Sequence, residues 1–121
     1  MKQGNSRDLA LRTKAFALKV VGFYSVLPKS TVAQVLGRQL LRSGTSAGAH
    51  YREANRAKSY ADFISKIEGA LQELDETSYW LDLLSESKIG PTAELQGLLS
   101  ESEELISIFV AVAKSAKRNR R

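Results

Sequence analysis

Apolar residues recur three and four apart through almost the whole chain, and only two prolines, Pro28 and Pro91, interrupt the pattern. That spacing returns side chains to one face of an α-helix, whereas the strict alternation of a half-buried strand is nearly absent. The chain is therefore restricted to a few long helices. Its 121 residues leave room for one core, and a composition of 43% hydrophobic and 26% charged residues is too apolar for disorder.

Four segments follow from period and punctuation. The first, about 8–27, carries Leu9, Phe16, Val20, Phe23 and Leu27 on one stripe, widened by Leu11, Ala15 and Leu18. Pro28 stops it, because proline disfavours helix in the residue before it. The second, about 31–56, opens on Thr31 with Gln34 at capping-box spacing and continues through Val32, Val35, Leu36, Leu40, Leu41, Ala47 and Ala54. Its middle, Ser43-Gly44-Thr45-Ser46-Ala47-Gly48-Ala49, has poor helix propensity. The stripes on either side nevertheless stay in phase, and Gly44 and Gly48 share a face that a neighbouring backbone can approach closely. The third, about 59–88, starts at Ser59 as N-cap with Asp62 three residues on, then follows Phe63, Ile67, Ala70, Leu74, Thr77, Leu81 and Leu84. Gly90 and Pro91 supply a stop and a start. The fourth, about 91–117, carries Leu95, Leu99, Ser102, Ile106, Phe109, Ala113 and Ala116. Connections this short force antiparallel neighbours, so the expected fold is all-α, an up-down-up-down four-helix bundle forming one domain over residues 1–121.

Several chemistries lack their parts. There are no cysteines, hence no disulfide, thiolate metal site or cysteine nucleophile. One histidine, His50, cannot supply the paired Glu-x-x-His motifs of a di-iron bundle, and the carboxylates Glu73, Asp75, Glu76 and Asp82 have no spacing that supports a magnesium site. No metal and no cofactor is expected. No apolar run reaches the ~20 residues of a membrane helix, and Met1–Ser6 does not resemble a secretory signal, so no membrane partner is expected and the reading is intracellular.

Charge is unevenly placed. Residues 1–60 hold eleven Lys/Arg against two acids, residues 61–113 hold eleven acids against two lysines, and residues 114–121 add five cations. The chain is basic, acidic, basic. Such polarity suits contact with nucleic acid, pairing between helices, or one subunit's basic face meeting another's acidic one.

The run Gln39-Leu40-Leu41-Arg42-Ser43-Gly44-Thr45-Ser46-Ala47-Gly48-Ala49-His50-Tyr51-Arg52-Glu53-Ala54 resembles the signature of the four helix bundle proteins called 23S rRNA-intervening-sequence proteins. Tyr60–Ile67, Ala70–Glu76 and Tyr79–Leu84 are similar to that family's third helix. His50 stands where the family usually has asparagine. The resemblance implies a bacterial cytoplasmic protein whose bundle assembles into a ring, usually a homopentamer. A more distant similarity is to accessory proteins of diversity-generating retroelements, basic pentameric bundles that work with nucleic acid and a reverse transcriptase.

Three groups of residues compete for a role. Ser46, His50 and Glu53, at spacings of four and three, share a helix face and together look like a Ser-His-acid set. A working triad also needs an oxyanion hole and a cleft, which three neighbours on one helix do not offer. With Arg42 and Ser43 they read instead as a polar seam, and no enzyme is expected. Arg38, Arg42, Arg52 and Arg56 form a stripe that either binds phosphates or pairs with acids of the third helix, namely Glu68, Asp75, Glu76 or Asp82. Lys114, Lys117, Arg118, Arg120 and Arg121 form a tail that either is simply solvated or reaches phosphates. Finally, the apolar stripes are wider than one core needs, which places Leu11, Ala15, Leu18, Tyr60, Ile64, Leu71 and Trp80 at subunit contacts. The function expected is a non-enzymatic homo-oligomer that binds RNA or DNA or assists an enzyme acting on them. The alternative is a protein–protein scaffold whose polarised charge serves assembly.

Overall fold

The computed structural model describes residues 3–119, with side chains from Asp8 to Asn119. Four helices follow one another: α1 (Gln3–Ser25), α2 (Thr31–Ala54), α3 (Tyr60–Glu86) and α4 (Thr92–Arg118). Descending residues of each helix meet ascending residues of the next. Thr13, Val20 and Tyr24 of α1 lie on Gly48, Gly44 and Gly37 of α2. Glu53 and Arg42 of α2 reach Lys66 and Glu76 of α3, and Glu68 of α3 reaches Lys117 of α4. Successive helices are thus antiparallel. The contact of α2 with α3 is the most extensive and that of α1 with α4 the least. Among the described residues no helix is long and apolar enough to cross a membrane.

The ends have local causes. Ser59 caps α3, its hydroxyl accepting from the Asp62 amide at 3.1 Å. At α2 the cap is Ser30 rather than Thr31, its hydroxyl accepting from the Ala33 amide at 3.3 Å. Gln34 closes no capping box; its amide donates to the Pro28 carbonyl (2.8 Å) and it accepts from the Tyr24 hydroxyl (2.8 Å), tying the α1–α2 turn together. Helix α1 starts at Gln3 rather than near residue 8, since a formed helix extends through polar residues at little cost. It ends at Ser25, and a tight turn with the Leu27 amide on the Tyr24 carbonyl (3.1 Å) still delivers Leu27 to the core. Between α3 and α4, Gly90 is required twice over. Its φ of +94° is left-handed, and a Cβ there would lie 2.7 Å from Phe23 Cζ.

The core contains the expected stripe of α1 without exception: Leu9, Phe16, Val20, Phe23 and Leu27 are all buried. The stripes of α3 and α4 hold except at three positions. Ile64, Leu98 and Leu105 are buried where Phe63, Leu99 and Ile106 were expected, and these three are half-buried. On α2 the correction is larger. Val32 and Val35 are exposed, at 57% and 52%, while Ala33, Gly37, Leu40, Ser43 and Gly44 face inward. Small residues win there because α1 lies so close that no large side chain fits between the backbones. Each fully buried aliphatic or aromatic side chain contributes roughly 1.5–3 kcal/mol. Leu40, Ile67, Leu74, Leu81 and Leu105, all fully buried, make up the middle of that core.

Candidate nucleic-acid interface

The weak-propensity stretch of α2 stays helical because both of its faces are occupied. On one face Gly44 and Gly48 receive Val20 and Thr13 of α1. On the other, the fully buried Ser43 and Thr77 hydroxyls share a hydrogen bond of 2.8 Å, and Thr77 Oγ1 also donates to the Glu73 carbonyl at 2.8 Å. With these two faces engaged, α2 presents a third face to solvent, and the arginines lie on it.

That stripe divides. Arg42 spans to α3, bonding Glu76 through one guanidinium nitrogen and Glu73 at 3.2 Å through another. The Glu76 hydrogen bond first, then both negative charges, hold the Arg42 guanidinium further into its charged form. Arg38, Arg52 and Arg56 are exposed and take no acidic partner among the described residues. Counted at 100° per residue from the buried Leu40, these three lean toward α1, whereas Arg42 leans toward α3. Of the expected acidic partners only Glu76 is used by the stripe, and Glu68 is taken by Lys117 at 2.6 Å.

The polar seam lies on the α3 side. His50 rests over Gly69, where a Cβ would lie 3.2 Å from its Nδ1. Its ring nitrogens stand 3.9 Å from Glu53 and 3.8 Å from Glu73, outside hydrogen-bond range, and Nδ1 is buried without a partner. Glu53 pairs with Lys66 at 3.4 Å. The Ser46 hydroxyl donates to the Arg42 carbonyl of its own helix (2.7 Å) rather than to the imidazole. Ser46, His50 and Glu53 are therefore near each other but not joined as a proton relay.

In the tail, Lys114 and Arg118 are exposed on the last turns of α4, while Arg120 and Arg121 lie outside the described residues. Of the expected contact residues, Leu11 and Leu18 are each 62% exposed and Tyr60 is 51% exposed. Ala15 is exposed as well, and Leu71 and Trp80 are half-buried against the core. Ile64 is corrected: at 5% exposure it sits inside the bundle, three residues before the buried Ile67 and on the same helix face, and is not a surface residue.

The model of the 23S rRNA-intervening sequence protein family matches residues 7–111. The chain belongs to this family. It is similar to a solved protein of unknown function from the S23 ribosomal protein family of Bacteroides thetaiotaomicron VPI-5482. The two are 35% identical with a TM-score of 0.82, the match covering 90% of this chain and 97% of the other. No curated protein matches.

Within this intervening-sequence protein, the residues that carried the resemblance do structural work. Arg42, Ser43, Gly44, Gly48 and Glu53 all serve contacts between α2 and its neighbours. Sequence reasoning missed the matching tie between α1 and α4. Arg12 donates to Glu101 through Nε (2.7 Å) and Nη2 (2.8 Å), and to Glu104 at 2.7 Å. The hydrogen bond from Arg12 holds the Glu101 carboxyl below its ordinary range, against the opposing effect of partial burial. Arg12 stands four residues before the buried Phe16, and that position beside the stripe was the available signal. Also unforeseen is a cavity of about 1050 Å³ between α1, the α2–α3 connection and the end of α4, lined by Leu9, Arg12, Asn55, Tyr60, Phe63 and Val112 among others. No cluster of His, Cys, Asp or Glu among the described residues could hold a metal ion.

Proposed function

We propose that this family member is a non-enzymatic, homo-oligomeric bundle of the bacterial cytoplasm that binds RNA or DNA through phosphate contacts. Such binding suits an accessory to a nucleic-acid enzyme, for instance a reverse transcriptase. The observation that carries the reading is the split in the arginine stripe. Arg42 is held by carboxylates of α3, whereas Arg38, Arg52 and Arg56 are exposed without one. Guanidiniums free of internal partners keep their fork of donors for phosphate oxygens. The exposed Lys114 and Arg118 add to this charge, and Arg120 and Arg121 extend it in sequence. The test is a gel-shift titration with RNA and with DNA at low and high salt. Binding that weakens steeply with salt, and that falls when Arg38, Arg52 and Arg56 are changed together to glutamate, is expected. Absence of binding at low salt refutes the reading.

Assembly is part of the proposal. Leu11 and Leu18 expose most of their side chains on one outer face of α1, and contiguous apolar surface of this kind favours a protein contact. The opposed charges of the two halves suit a head-to-tail arrangement that closes into a ring, and the family resemblance selects five subunits. Light scattering at micromolar concentration should return the mass of a pentamer; a monomer mass refutes it. The scaffold reading draws on the same apolar face and differs in requiring no nucleic acid.

A further inference from the structure

Resting on the nucleic-acid reading above, we infer that the solvent-facing side of α2 selects double-stranded over single-stranded nucleic acid. Three exposed cations define this face: Arg38 and Arg52 of α2, and Arg56 just past its end. At 1.5 Å rise per residue, Arg52 and Arg56 are about 6 Å apart along the axis, and Arg38 and Arg56 about 27 Å apart. The cations form a straight, rigid row, because α2 is continuous from Thr31 to Ala54 and Asn55–Ala57 continue it in hydrogen-bonded turns.

A flexible single strand must be ordered before it can follow such a row, and proteins that bind single strands offset this by stacking bases on exposed aromatic rings. Along α1 and α2 this face exposes none, and the exposed Tyr60 stands past the end of the row, at the start of α3. Phe16 and Phe23 of α1 are buried, and Tyr51 of α2 is buried edge-on against Phe109 at 5.5 Å. Tyr24 is half-buried with its hydroxyl on Gln34, and His50 lies on the opposite side of α2 over Gly69. A duplex needs neither ordering nor stacking. It is stiff over far more than 27 Å, and it carries a charge about every 1.7 Å of axis, so several phosphates of a short duplex fall beside the row at once. Cations this widely spaced, on a helix backed by its neighbours, touch the backbone and do not read base edges.

The test is fluorescence anisotropy with one 24-nucleotide sequence in four forms: single-stranded RNA, single-stranded DNA, duplex RNA and duplex DNA. The full-length protein should bind at least one duplex about tenfold or more tighter than either single strand. Comparing the two duplexes then shows which helix form fits the row better. On the bound duplex, the slope of log affinity against log salt should fall by about 0.9 for Arg52→Ala, since one phosphate contact is lost. Equal or tighter binding of a single strand overturns this inference and leaves the nucleic-acid reading in place. Failure of all four forms to bind at low salt overturns the nucleic-acid reading itself. An Arg52→Ala variant with an unchanged duplex slope assigns binding to another surface and overturns the inference as well.

Discussion

Replacing Gly44 by alanine sets two known effects against each other at one atom. Alanine inside a helix is favoured over glycine by about 0.8–1.0 kcal/mol. At Gly44 the new Cβ would lie 2.9 Å from Val20 Cγ2 and 3.1 Å from Cγ1. Val20 is fully buried, and a valine in a helix has essentially one rotamer, so its methyls cannot swing away. Relief must come from moving α1 outward, and overpacking of this kind costs roughly 1–3 kcal/mol. The balance is a net loss of about 1 kcal/mol, or roughly 4 °C in Tm for a chain of this size. Gly22 is the control, since a Cβ there meets nothing within 4 Å and its alanine variant keeps the whole propensity gain. Urea unfolding of both variants, at one fixed protein concentration, should therefore place them about 2 kcal/mol apart with Gly22→Ala the more stable. Adding Val20→Ala should rescue part of the Gly44→Ala loss in a double-mutant cycle. If Gly44→Ala is as stabilising as Gly22→Ala, the close approach of α1 and α2 is wrong.

Thr77→Val removes one hydroxyl of a fully buried pair and leaves Ser43 without its partner on α3, so a loss of about 1–3 kcal/mol is expected by denaturation, with part recovered in the Ser43→Ala/Thr77→Val double variant. The carboxyl of Glu101 is held below its ordinary value of 4.5 in the folded state, so its contribution is present above that pH and is lost as pH falls through the lower folded value. Stability of Glu101→Gln should therefore fall less steeply on acidification below about pH 4.5 than that of the parent, and an identical acid limb would refute the pairing. Arg42→Ala should change stability by less than about 1 kcal/mol, because its side chain is 50% exposed and solvent screens its pairs with Glu73 and Glu76. The same variant should leave the salt dependence of nucleic-acid binding unaltered, since Arg42 is already engaged by α3.

The fold was legible because α-helical periodicity survives small errors of phase. Reading Phe63 for Ile64, or Leu99 for Leu98, shifts a stripe by one position and still returns the same helix facing the same way. The error at α2 has another origin. Val32 and Val35 look like core by hydropathy, but hydropathy does not record how near α1 passes, and proximity selects Ala33, Gly37 and Gly44 instead. The polar seam was visible as spacing on one helix, while its partners were not: Thr77, Lys66 and Glu73 come from α3, and their register against α2 is a property of packing. For the same reason the sequence could name four arginines of one stripe but could not divide Arg42 from Arg38, Arg52 and Arg56. A difference of about 40–80° around α2 decides which of them α3 can reach.

The ranking of helix contacts, greatest for α2 with α3 and least for α1 with α4, bears on how the chain folds. Three of the four packed pairs join helices adjacent in sequence, so most native contacts close short loops, and chains of that kind fold in microseconds to milliseconds. All three connections are five residues long, so loop entropy does not separate them, and the α2–α3 hairpin, with Ser43 on Thr77, gains the most contact for it. It is the natural nucleus. The seam between α1 and α4 joins the two ends of the chain and closes last, by Arg12 engaging Glu101 and Glu104. Kinetic φ-values should accordingly be high at Leu74 and Thr77 and near zero at Leu9 and Arg12, and the reverse gradient would show that folding starts from the ends.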